Sequence, residues 1–164
     1  ATARPRGGLL RRGPGGRATA DCRPQTSALM LIQGPLALNW RWRKWGLLPR
    51  LENAELSGAN PPTAGRARLW AAQGVGVGGC PDWVFVKVHT HGCVPANRAV
   101  ILGPAMRALH ETLQRDFNDG AAWRLHYVTA REVYNLVRAA EEGCSGGPGE
   151  ARDYEIRPPA GAGA

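Results

Sequence analysis

The stretch Trp83-Val84-Phe85-Val86-Lys87-Val88-His89-Thr90-His91-Gly92 constrains the fold more than any other part of the chain. β-Branched and aromatic residues follow a Cys80-Pro81-Asp82 turn and stop at a glycine, the pattern of a buried strand. Alternate residues of a strand share a face. Val84, Val86 and Val88 therefore line one side, and Trp83, Phe85, Lys87, His89 and His91 the other. The second side begins apolar and turns polar towards its C-terminal end, which is where α/β folds carry their chemistry.

Further strands and helices alternate around this one. Ala28-Leu29-Met30-Leu31-Ile32 is an apolar run that ends at Gln33-Gly34-Pro35, consistent with a buried strand. Pro49 to Pro62 is rich in turn chemistry and reads as one long loop, of the kind that often carries function. Thr63 is placed to cap a helix running to about Gln73, with Leu69 and Trp70 inward and Gly74 at its end. A second helix is expected from Asn97 to about Asn118, with Leu102, Met106, Leu109, Leu113 and Phe117 as its stripe. Gly103-Pro104 either kinks that helix or marks its true start. Leu125-His126-Tyr127-Val128 reads as a strand. Thr129 and Glu132 then form a capping box for a last helix that Gly143 stops. Strand and helix thus alternate three times, which predicts an α/β fold: three consecutive βα units of a mostly parallel sheet.

The formal charge of +8 invites a nucleic-acid reading until it is located. Residues 1–50 hold ten Lys/Arg and one acid, whereas residues 51–164 hold eleven Lys/Arg and twelve acids. The basicity belongs to the first third, and the expected folded body is near neutral, so a nucleic-acid partner is not expected for it, and nucleic-acid binding through the basic first third ranks last among the readings. Residues 1–24, rich in Gly, Arg, Pro and Ala, read as a disordered basic leader. Residues 25–157 read as the folded domain and 158–164 as a flexible tail. The four cysteines lie far apart with no CxxC pair, so neither a zinc knuckle nor a disulfide framework is expected. No apolar run approaches the roughly 18 residues of a membrane helix. No membrane partner is therefore expected, and no signal peptide is visible, which leaves the cytoplasm as the default location.

Candidate chemistry gathers on the polar end of the central strand. His89 and His91 flank one threonine, and two imidazoles on one strand face is a spacing used by metal-dependent hydrolases. The alternative is a pair of polar residues closing a strand end. Either histidine can also act as general acid or base, because its pKa lies near neutrality. Lys87 shares that face and can hold an anionic group, or it can simply reach water from an edge. In Asn39-Trp40-Arg41-Trp42-Arg43-Lys44-Trp45, aromatic and cationic residues interleave. Such a loop can stack sugars or bases, or pack its rings on the protein wall with the guanidinium groups in water. Cys93 lacks a neighbouring base in sequence.

The segments Gln33-Gly34-Pro35-Leu36, Asn60-Pro61-Pro62-Thr63, Trp83 to Gly92 and Leu125 to Glu132 together resemble the C-terminal part of bacterial polysaccharide-deacetylase-like proteins, of the glycoside hydrolase/deacetylase β/α-barrel superfamily. The resemblance covers about Ala28 to Tyr154. It implies the C-terminal part of a distorted barrel and hydrolysis of acetylated sugars with a divalent metal such as zinc. His89 would then be the catalytic acid, with His91 competing for that role or serving as a metal ligand. Lys87, Trp40, Trp42, Asn53 and Asn60 would contact the carbohydrate. The family's Asp-Asp pair and H-x-x-x-H motif have no counterpart here, so metal and base would be missing. The chain is then expected to be inactive alone and to need an oligomer, or the missing N-terminal part of the barrel, to cover its sheet edges. The competing expectation is a non-catalytic carbohydrate or partner-binding module built on Trp40, Trp42, Trp45 and the Pro49–Pro62 loop.

Overall fold

The structure is a computed structural model that describes residues 30–143 and 146–156. The expected leader, residues 28 and 29 of the expected first strand, and the expected tail lie outside them. Two strands and four helices follow in order: β1 (Ala37–Lys44), β2 (Leu48–Glu52), α1 (Ala64–Gln73), α2 (Pro95–Ile101), α3 (Pro104–Phe117) and α4 (Ala130–Glu141).

The expected parallel sheet is not there. Among the described residues the one sheet is the antiparallel pair β1–β2, made from the stretches read as a Trp/Arg loop and the start of a long loop. The Trp83–Val88 stretch is extended but joins no ladder. Its backbone bonds include Trp83 N–H to the Cys80 carbonyl and Phe85 N–H to the Val75 carbonyl, and just beyond it His89 makes a single parallel bridge with Glu55. Leu125–Val128 makes no bridge either, held between the Asp119 turn and the Thr129 cap. The reason is local. Ala54 takes a left-handed backbone (φ 60), which ends β2, and the Ser57–Asn60 turn follows at once, so the pairing on that side is confined to the bonds of Ala54 and Leu56 with His89.

The alternation of that stretch still decides its packing. Val84 and Val86 face a core of Ala54, Leu56, Trp70, Leu109 and Phe117, between α1 and α3. Trp83 and Phe85 face a second core with Leu136, Ala139, Ala140 and Ala151, against α4. The segment is a two-sided spine between two small cores. Cys80 in the second core is disulfide-bonded, which its spacing in sequence did not signal.

The helices follow their local signals. Thr63 accepts the Arg66 amide, and Gly74 closes α1 in the left-handed conformation. The single long helix expected from Asn97 is two helices, each with proline in its first turn. A side chain at Gly103 would meet the Ala99 carbonyl, so glycine permits that close junction. The capping box of α4 is complete, with Thr129 N–H donating to Glu132 and Glu132 N–H to the Thr129 hydroxyl. Residues 146–156 strap across α4 through buried Asn135, which accepts the Glu155 and Ile156 amides, and through Arg138, which pairs with Glu155.

One buried charge ties the hairpin to the helices. Arg66 is 1 % exposed, and all five of its N–H donors are used. Two meet the Glu52 carboxylate at 2.7 Å, and three meet the carbonyls of Glu55, Asn60 and Pro61. Burial alone would raise the Glu52 carboxyl. The Arg66 guanidinium, the approaching Trp70 indole (short of hydrogen-bond geometry) and the Ala54 amide outweigh it, holding the group below its ordinary 4.5. A depressed carboxyl contributes stability that is present above its unfolded value and lost as pH falls through the folded one. Arg66→Ala should cost about 3–5 kcal/mol in denaturant titrations at neutral pH, because it strands a buried carboxylate. Glu52→Gln should flatten the loss of stability below pH 4.5 relative to the parent.

Candidate functional site

A groove of about 510 Å³ lies between β1 and α1. Its hairpin wall is Leu38, Asn39, Trp40, Arg41 and Trp42, and its helix wall is Thr63, Gly65, Arg68 and Leu69, with Arg66 also lining it. Gly65, Arg68 and Leu69 stand at i, i+3 and i+4, so they share one helix face. A side chain at Gly65 would meet nothing within 4 Å, so the glycine leaves the groove open.

The shape of the hairpin wall comes from Asn39. Up to that point β1 alternates, with Ala37 and Asn39 buried and Leu38 exposed. The register then breaks between Asn39 and Arg43. Asn39 Oδ1 accepts the amides of both Arg41 and Trp42 at 3.1 Å, which closes a bulge and satisfies donors the ladder has lost. Beyond it the ribbon turns outward. Trp40 is 60 % exposed, while Trp42 is less exposed and lies beneath the Arg50 guanidinium, 5.0 Å from its ring centre.

Among the described residues no acid lines the groove. Arg66 is neutralised by Glu52, and Arg68 shares Asp116 with Arg115. Arg41 and Arg43, by contrast, form no ion pair among the described residues. The groove thus combines indole faces with uncompensated guanidinium charge, and can hold a ligand that is apolar on one side and anionic on another.

The other expected site residues lie elsewhere. His89 is half-buried, its backbone held by Ala54 and Leu56, and its Nδ1 is buried without a partner. His91 is exposed, its carbonyl accepting from Asn97 Nδ2. Among the described residues no three His, Cys, Asp or Glu side chains converge as metal ligands. Lys87 is exposed and lines a separate apolar cavity of about 510 Å³ with Ile32, Val75, Phe85 and Val133. Asn53 and Asn60 build turns: Asn53 Oδ1 accepts the Glu55 amide, and Asn60 Nδ2 donates to the Glu55 carbonyl. Of the residues expected to touch carbohydrate, Trp40 and Trp42 both line the groove. Sequence reading missed Gly65 and Arg68, whose signal was the i, i+3 spacing of a small and a cationic residue on one helix face.

His126 Nε2 is also buried without a partner, and desolvation, then the charges of Arg152 and Arg124, hold this histidine below its ordinary 6.5. Comparison with protein-family models, with curated proteins and with solved structures found no match to this chain.

Asn39→Ala should cost about 1–2 kcal/mol, the loss of two partly buried amide bonds. It should also raise amide exchange at Arg41 and Trp42 while leaving α4 protected. Unchanged exchange at those two amides would mean that the bulge does not depend on Asn39.

Proposed function

We propose that this chain is a non-catalytic binding module whose β1–α1 groove takes an amphipathic, anionic ligand. The observation that carries the reading is the groove wall itself, where Trp40 and Trp42 stand beside an unpaired Arg41 with no carboxylate among them. Indole faces supply apolar contact area at little entropic cost, and guanidinium groups supply directed bonds to carboxylate, sulfate or phosphate. The histidine pair of the deacetylase expectation is not among the described residues that line this groove.

Gly65 gives a clean test. It lies in the first turn of α1 with open space before it, so Gly65→Leu fills the groove without disturbing a packed neighbour. Replacing a helical glycine should raise stability by about 0.5–1 kcal/mol. The same variant should weaken binding of a heparin oligosaccharide by about tenfold or more, read by the change in tryptophan emission on titrating the full chain, because the basic residues 1–36 contain no tryptophan. A variant that is more stable yet gives the parent's emission change at the same probe concentrations would overturn the reading.

A further inference from the structure

The distal end of the hairpin carries a surface that the groove does not explain. Every residue from Trp40 to Leu48 whose side chain is described is exposed. Leu47 is 80 % exposed, Trp45 78 %, and Leu48 57 %. Further down the ribbon, Leu38 and Leu51 face each other across the strands, both more than half exposed. Among them stand Arg41 and Arg43, without ion pairs. Large apolar side chains gathered on one exposed element mark an interaction surface rather than ordinary surface scatter.

We infer that this hairpin end docks on an anionic lipid surface, with Trp45 and Leu47 entering the boundary between headgroups and acyl chains while Arg41 and Arg43 meet lipid phosphates. The inference rests on the binding-module reading and names its partner. Three observations favour lipid. Leucine neither stacks on a sugar ring nor hydrogen-bonds its hydroxyls, so Leu47, Leu48 and Leu51 call for an apolar phase. A two-stranded ribbon exposed along its whole end offers a second protein little area to bury, but its tip can enter a fluid interface. Tryptophan beside arginine is also the pairing that suits a headgroup region, the indole at the interface and the cation on phosphate.

Adsorption of this kind needs no spanning segment, and no helix among the described residues is long and apolar enough to cross a membrane. The expectation of no membrane partner rested only on the lack of such a run.

The basic first residues would draw the intact chain to any anionic vesicle, so the readout must report the hairpin alone. Tryptophan does this, because residues 1–36 contain none. Of the six tryptophans, Trp70 and Trp83 are buried and Trp123 is half-buried, which leaves Trp40, Trp42 and Trp45 to meet lipid.

The full chain is mixed with phosphatidylcholine vesicles, with and without phosphatidylglycerol, whose acyl chains carry bromine. Tryptophan emission should be quenched by the anionic brominated vesicles. A Trp45→Ser/Leu47→Ser variant, shown folded by far-ultraviolet circular dichroism, should lose the quenching, and its partitioning should fall about tenfold or more. Vesicle binding without quenching, or quenching unchanged in the variant, would overturn the inference. Binding of a heparin oligosaccharide in the groove with no binding to vesicles would overturn it too, while leaving the binding-module reading in place. Failure of both probes would remove both.

Discussion

The bidentate Glu52–Arg66 pair is the contact on which the rest of the structure depends. Glu52 is the last residue of the hairpin, and Arg66 lies in the first turn of α1. The three carbonyls that complete the guanidinium's shell belong to the loop between them. One side chain thus fixes where the hairpin leaves the body, how the loop folds back and where the helix begins. Taking two charges out of water is costly, and a well-packed apolar pair of the same shape would be as stable or more so. What the ion pair adds is direction. A planar fork with five fixed donors accepts one arrangement of its acceptors, whereas an apolar contact would tolerate several.

Position follows from that constraint. With the base of the ribbon held at Glu52 and its inner face buried at Ala37 and Asn39, the described side chains from Trp40 to Leu48 are left exposed. Asn39 then breaks the register and turns Trp40, Arg41 and Trp42 outward, and the turn of residues 45–47, with Trp45 and Gly46 left-handed, closes the ribbon. A tryptophan held at φ 53 is unusual, since β-hairpins place Gly or Asn there. Residue choice at this turn therefore favours an exposed indole over an unstrained backbone.

What could be read in the sequence was what is local. The Thr63 cap, the Thr129–Glu132 capping box and the Gly74 and Gly143 stops all depend on neighbours within four residues, and each stands where those residues place it. The alternation of Trp83 to Val86 also told truly which side chains face opposite ways. It could not tell what the backbone would pair with, and that error produced the parallel sheet. An apolar extended segment can be covered on both faces by helices without joining a ladder, and its periodicity is then the same as a strand's. The hairpin escaped notice for the opposite reason. Its alternation stops at the Asn39 bulge, and its turn lacks the Asn-Gly signature. Glu52 and Arg66 are 14 residues apart, and nothing in a single sequence says that these two charges are buried together.

The most direct measurement is a double-mutant cycle between Glu52→Gln and Arg66→Met, read by equilibrium denaturation, with hydrogen exchange of the β1–β2 amides followed in each variant. If the ion pair organises the fold, the coupling should reach about 2 kcal/mol or more, and either single change should strip protection from the hairpin before it touches α4. Coupling near zero, with hairpin amides as protected as in the parent, would contradict the claim and leave the ribbon held by something other than this pair.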